Sequence, residues 1–288
     1  MNAATSLNFT YMRKTFILLS TFLMAMTFCT DASARSGQSV IEKEPVEVVD
    51  GKFTPEIMLR LGRVSDPQLS PDGKKILYGV TYTSIEENRS VRQLYVMNAD
   101  GSDNRQITHF TSSANNARWY GDGSMILYLR DGQIWSMKAN GSGARKVSDI
   151  PGGISEFKLS PDQTKVMYIA QVQYATKPTD LYPDLPKSSG REIDGLMYRH
   201  WDCFVETIPH TFVADVTRSG NSLKVAPGKD IIEGTKFELP TLPFGGLEQL
   251  SWSPDGQWIA YACRKLTGKD YAFSTNTDIY LYNVADGT

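Results

Sequence analysis

The sequence predicts an all-β fold assembled from repeated four-stranded units, and three observations lead there. A turn tetrapeptide recurs as Ser70-Pro71-Asp72-Gly73, Ser160-Pro161-Asp162-Gln163 and Ser253-Pro254-Asp255-Gly256, and Tyr120-Gly121-Asp122-Gly123 takes the same place with its first two residues changed. Each copy follows an apolar residue and precedes a run of aliphatic and aromatic residues, the composition of a buried strand. The first three turn aspartates, at 72, 122 and 162, are spaced by 50 and 40 residues, the period of a propeller blade. The expected architecture is therefore a β-propeller of about three and a half four-stranded blades in an incomplete ring, with a partly helical insertion in blade three.

Near the N-terminus Arg13 and Lys14 precede a 13-residue apolar stretch from Phe16 to Phe28, followed by the small residues Ala32-Ser33-Ala34. That order is a signal peptide cut after Ala34, which predicts export to the periplasm or the outside. The apolar stretch is shorter than the 18 or more residues of a spanning helix, so no membrane span is expected in the mature chain. Residues 35–52 are polar and mixed in charge and read as a flexible leader. Thr54-Pro55-Glu56 then has the form of an N-cap followed by proline at the first helical position. Ile57, Met58 and Leu61 would give this short helix an apolar side.

The repeats follow, with blades expected at about 63–110, 111–150, 151–245 and 246–288. Ser-Pro-Asp-Gly fits a type I turn, with serine first, proline pre-set in the second place and glycine last. After it come Ile76-Leu77-Tyr78-Gly79-Val80, then Gln93-Leu94-Tyr95-Val96-Met97, a tight turn at Asn98-Ala99-Asp100-Gly101, and Arg105-Gln106-Ile107-Thr108. The second unit copies this through Met125-Ile126-Leu127-Tyr128-Leu129, Gln133-Ile134-Trp135-Ser136-Met137 and Arg145-Lys146-Val147-Ser148. The next step between turn aspartates, from 162 to 255, is 93 residues, and residues 174–210 break the pattern. An insertion between Val166-Met167-Tyr168-Ile169-Ala170 and Thr211-Phe212-Val213-Ala214-Asp215 accounts for the excess. The fourth unit runs through Leu250-Ser251-Trp252, Trp258 to Ala262 and Asp278 to Asn283, and the chain stops in the turn before a last strand. The expectation from that stop is the front part of a longer protein.

Composition limits the function classes. The formal net charge is −2 over 288 residues, without a basic run, which argues against a nucleic-acid groove. Cys203 and Cys263 could form one bridge, but their spacing fits no disulfide framework, and two small buried thiols are the expected reading. Gly141-Ser142-Gly143 reads as a hairpin turn, since no strand, glycine loop and helix surround it to hold a phosphate. No G-x-S-x-G nucleophile elbow occurs, so no catalytic residue is assigned to this chain.

Chemistry could sit in the insertion. Arg191 to Glu206 could form a short helix, and Met197-Tyr198-Arg199-His200-Trp201-Asp202-Cys203-Phe204-Val205-Glu206 packs aromatics among ionisable groups. On a helix Asp202 and Glu206 would share a face, where they could hold an ammonium group or pair with Arg199. His200 and His210 with Cys203 meet no recognised metal-ligand spacing, so structural histidines are expected, with no metal and no cofactor.

These residues resemble the prolyl oligopeptidase family, in particular its dipeptidyl-peptidase 5 and acylaminoacyl-peptidase branch. The resemblance rests on the Ser-Pro-Asp-Gly units, on Met197 to Asp202, on Val205-Glu206-Thr207-Ile208-Pro209-His210, and on Leu250 to Gly256, and it spans roughly Phe53 to the end. It implies a propeller that precedes an α/β-hydrolase domain absent from this chain, in an exported serine exopeptidase acting on short peptides. It also implies that the propeller gates substrate size and binds the peptide amine through acidic residues. The implied substrate-binding residues are Glu206 for the amine, Asp202 as a second acid and Trp201 as a pocket wall. Members carry a second acid where this chain has Cys203, a departure from a two-acid amine site. Two other classes are open at this stage: a non-catalytic periplasmic scaffold that binds protein partners, and an enzyme such as a lyase with its site on the propeller.

Overall fold

A computed structural model describes residues 37–220 and 222–288, and the expected signal segment lies outside the described residues. The recurrent turn folds as its residues dictate. In the three serine copies the hydroxyl donates to the aspartate carboxylate, Ser70 to Asp72 at 2.6 Å, Ser160 to Asp162 at 2.6 Å and Ser253 to Asp255 at 2.5 Å. The same oxygen accepts from the backbone N–H that opens the next strand, at Lys75, Lys165 and Trp258, over 2.9–3.0 Å. The serine thus joins the turn to the strand after it. Gly73 and Gly256 sit at φ +71° and +70°, which glycine adopts at no steric cost, whereas Gln163 adopts φ +59°. Its Oε1 accepts from Gly121 N at 2.6 Å, a bond between neighbouring turns that offsets the strain.

Four antiparallel sheets follow one another along the chain. Helix α1 (Pro55–Arg60) precedes the first, which holds β1 (Arg63–Leu69), β2 (Lys75–Ser84), β3 (Arg89–Asn98) and β4 (Arg105–Gln106) in that order. The second repeats it with β5 (Asn115–Tyr120), β6 (Met125–Arg130), β7 (Gln133–Lys138) and β8 (Arg145–Lys146). The third begins with β9 (Glu156–Leu159) and β10 (Lys165–Gln173). It leaves the sheet for α2 (Pro178–Leu181) and a small hairpin, β11 (Arg199–His200) with β12 (Cys203–Phe204). The chain then returns as β13 (Thr207–Ser219), β14 (Ser222–Val225) and β15 (Lys229–Asp230), in the order β14-β13-β10-β9 with β15 also on β13. A 3₁₀ turn (Leu247–Gln249) leads to the fourth sheet, β16 (Leu250–Trp252), β17 (Trp258–Cys263) and β18 (Asp278–Asn283), with α3 (Gly268–Phe273) between the last two. None of the described helices is long and apolar enough to cross a membrane.

Alternation along the strands packs the sheets face to face, because successive side chains point to opposite sides. Leu77, Leu94 and Val96 of the first sheet meet Trp119, Ile126 and Tyr128 of the second. Leu127, Leu129 and Ile134 on the other side of the second meet Phe157, Val166 and Tyr168 of the third. Met167 of the third meets Ile259, Tyr261 and Tyr282 of the fourth. Each sheet carries an aromatic pair at one cross-strand register, Tyr78–Tyr95, Tyr128–Trp135, Tyr168–Phe212 and Tyr261–Tyr280. Two tryptophans at equivalent places also bond across: Trp119 Nε1 to Gln68 O at 3.1 Å, and Trp252 Nε1 to Lys158 O at 3.3 Å. Each fully buried aromatic or aliphatic side chain contributes about 1.5–3 kcal/mol, so these faces are the main cohesion of the stack.

Four expectations are corrected. The leader is docked at its centre, because Ile41 is only 4% exposed among Tyr78, Val80, Tyr82 and Val91, and Glu42 accepts from Gln106. Helix α1 has the expected cap, Thr54 Oγ1 accepting from Ile57 N, but only Ile57 is buried, while Met58 and Leu61 face outward. The helix expected over 191–206 does not form, and the only helix between Tyr174 and Glu206 is the four-residue α2. Gly195 interrupts that stretch, and the aromatic and β-branched residues after it close a hairpin through Val205 N to Tyr198 O at 2.9 Å. Of the two described cysteines, both are free and only Cys263 is buried, since Cys203 lies next to the exposed hairpin turn.

Candidate functional site

Glu206 is fixed by the end of the long β10–β13 ladder, whose last register pair is Gln173 with Thr207. Its carbonyl accepts from Tyr174 N at 3.0 Å, Ala175 N at 3.1 Å and Gln173 Nε2 at 3.0 Å. Three donors on one carbonyl hold the backbone of Glu206 where the insertion leaves the sheet. Met197, Val205 and Ile208 form a small buried cluster beneath it. The insertion folds back over this base and encloses a cleft of about 250 Å³.

The Glu206 side chain lines that cleft with Tyr174, Tyr198, Phe204, Glu192 and Asp194. Arg191 Nη2 donates to Glu206 Oε1 at 2.7 Å, and its guanidinium carbon lies 4.2 Å from the centre of the Phe204 ring. Lys236 reaches over the Tyr174 ring at 5.8 Å. Burial, then the carboxylates of Asp194 and Glu238, hold the Tyr174 hydroxyl above its usual range, so it is a neutral donor at ordinary pH. Aromatic walls and a carboxylate on a ladder-held backbone suit a small organic cation, which a ring face and a carboxylate both attract.

The three sequence-predicted site residues are not brought together. Trp201 and Asp202 form the two-residue turn of the β11–β12 hairpin and lie outside the cleft lining. Trp201 adopts φ +48°, is 73% exposed, and meets the Phe244 ring edge-on at 5.4 Å. Asp202 accepts from the Cys203 thiol at 3.5 Å, and this contact first, with the Asp202 charge, pushes that thiol above its usual range. Glu206 pairs with Arg191, not with the Arg199 considered from sequence. Asp202 sits in the hairpin turn and Glu206 at the end of the β10–β13 ladder, so the helical spacing that would put them on one face does not apply.

Sequence reasoning missed Arg191, Glu192 and Asp194 as cleft residues, although the alternation of charge in Arg191-Glu192-Ile193-Asp194 was a usable signal. It also missed Glu238, which is buried and accepts from His200 Nε2 at 2.7 Å, Tyr271 Oη at 2.8 Å and Leu242 N at 3.3 Å. His210 instead meets Asp230 at 2.6 Å, so the two histidines serve separate carboxylates.

No protein-family model matches the chain. It is 44% identical over 239 residues to a dipeptidyl-peptidase 5 of Porphyromonas gingivalis, covering 82% of this chain and 34% of that protein. A dipeptidyl-peptidase 5 of Porphyromonas endodontalis is 41% identical over 240 residues, with 82% and 34% covered. A fungal one from Arthroderma otae is 29% identical over 224 residues, with 73% and 31% covered. The fold is similar to that of part of the Pyrococcus horikoshii acylaminoacyl peptidase, with a TM-score of 0.52 at 16% identity, over 79% of this chain and 32% of that one. The chain spans about a third of the length of the curated relatives it matches. Identity above 40% to two of these relatives over 82% of this chain makes it a homologue of one portion of the dipeptidyl-peptidase 5 proteins.

Proposed function

We propose that this chain is the propeller portion of an exported serine exopeptidase, in which Glu206 receives the α-ammonium group of a short peptide. The observation that carries this reading is Glu206, whose backbone is held at the end of the β10–β13 ladder and which lines an aromatic-walled cleft. A cleft of about 250 Å³ accommodates one or two residues of an extended peptide, which agrees with cleavage counted from the N-terminus. The four sheets and their insertion would form about three and a half blades that restrict entry to short chains. Acyl transfer would belong to a hydrolase domain, for which this chain has no nucleophile elbow. Trp201 and Asp202, at the hairpin turn, would form an outer lip, while Glu192 and Asp194 supply the further negative charge nearest the amine.

The test is Glu206→Gln in the full-length protein, assayed with matched free-amine and N-acylated peptides. A charge-assisted hydrogen bond of about 1.5–3 kcal/mol predicts a loss of about 10- to 100-fold in kcat/KM for the free amine, with little change for the acylated substrate. Equal losses on both would show Glu206 to be structural and reject the anchor.

A further inference from the structure

We infer that Arg191 is a built-in competitor for the Glu206 carboxylate and so sets how tightly the cleft holds a free amine. The inference rests on the reading of Glu206 as the amine anchor. Its guanidinium is bonded to Glu206 Oε1 at 2.7 Å, within the space an incoming ammonium group would use. Both side chains are about half exposed, at 45% and 60%, so the pair is of the weak, exchangeable kind.

The surroundings make exchange easy. Arg191 lies in a stretch without regular structure, next to Gly190, so its arm is not tied to a ladder as Glu206 is. The Phe204 ring, 4.2 Å away, offers the guanidinium a second resting place on a hairpin strand. A planar cation can lean on that face after it loses the carboxylate, so displacement does not strand it. Round the cleft, Glu192, Asp194 and Glu206 face Lys177, Arg191 and Lys236, so the formal charges cancel, and loss of Arg191 leaves an excess of one negative charge.

Oε2 of Glu206 has no partner among the described residues, so an ammonium group could also bind there with Arg191 in place. In that case two cations about 5 Å apart repel, and in high dielectric this weakens binding by about fourfold. Exchange and sharing therefore have the same sign. Arg191 loosens the hold on a free amine and leaves a neutral N-acyl group unaffected. In an enzyme that releases short amine-bearing products, a looser hold speeds their departure.

The test is calorimetric titration of the full-length protein with alanyl-phenylalanine amide and with its N-acetyl form. Arg191→Ala should tighten the free-amine ligand by about fourfold and leave the acetyl form unchanged, with the gain shrinking as salt is raised. Arg191→Lys, which keeps the charge, should stay close to the parent protein. If Arg191→Ala weakens the free amine, leaves it unchanged, or tightens both ligands equally, the competitor role is wrong. Glu206→Gln separates the two readings. If it leaves free-amine affinity intact, anchor and competitor both fall; if it weakens that affinity while Arg191→Ala gives no gain, only the competitor falls.

Discussion

Glu238 Oε1 and His200 Nε2 lie 2.7 Å apart across 38 residues of sequence, with the Glu238 side chain only 1% exposed. Tyr271 Oη donates to the other carboxylate oxygen at 2.8 Å, and burial followed by this bond drives the Tyr271 hydroxyl well above the usual phenol range. The arrangement joins three regions: the β11–β12 hairpin, the loop before the fourth sheet, and α3. It fastens the insertion, and with it the wall of the cleft, to the next sheet.

Glu238→Gln is therefore expected to destabilise the protein by about 1–3 kcal/mol, because an amide cannot accept on both sides and turns a donor toward a donor. Urea denaturation reads this directly as a lower midpoint at unchanged slope. Tyr271→Phe, which removes one of three donors, should cost less. An unchanged midpoint in Glu238→Gln would mean that the network does not hold the insertion.

The repeated turns give a pH dependence of fixed sign. The Ser160 hydroxyl, then that of Thr164, hold the Asp162 carboxyl below its ordinary value, and Ser70 and Ser253 do the same for Asp72 and Asp255. A depressed folded pKa gives stability that is fully present above the unfolded value, about 3.9, and is lost as pH falls through the folded one. Thermal midpoints should therefore drop below about pH 4, and the triple variant Asp72→Asn, Asp162→Asn, Asp255→Asn should show a shallower drop. Identical acid profiles would contradict the assignment.

Two tyrosines at equivalent places predict opposite outcomes. Tyr128 is fully buried and its hydroxyl has no partner among the described residues, whereas Tyr168 Oη accepts from Gly228 N at 2.9 Å. Tyr128→Phe should be neutral or stabilising by about 1 kcal/mol, and Tyr168→Phe should destabilise by about 1 kcal/mol. Denaturant midpoints of the two variants, compared side by side, decide it. A loss at Tyr128 as large as at Tyr168 would place an ordered water on the Tyr128 hydroxyl.

Much of the frame was legible because its signals are local. Ser70, Asp72 and the N–H of Lys75 lie within six residues, so the turn chemistry is written in adjacent letters. The expected strands at Leu250 to Trp252 and Asp278 to Asn283 coincide with β16 and β18, since alternation and turn residues bracket both. The insertion was legible only as an interruption. Asp202 and Glu206 share a face on a helix, but Gly195 and the hairpin register of Arg199 with Phe204 place them apart.

The sequence by itself determined the repeat, its turns and the place of the insertion, because each depends on neighbouring residues, while Glu206 as the carboxylate to examine came from the family resemblance. Only the tertiary structure decided the partners of that carboxylate. Arg191 reaches Glu206 across 15 residues and His200 reaches Glu238 across 38, and such pairings are set by how the chain returns on itself over the sheet edge. A short-range code fixes backbone conformation, while the pairing of charges in a folded loop depends on which surfaces the packed sheets leave within reach.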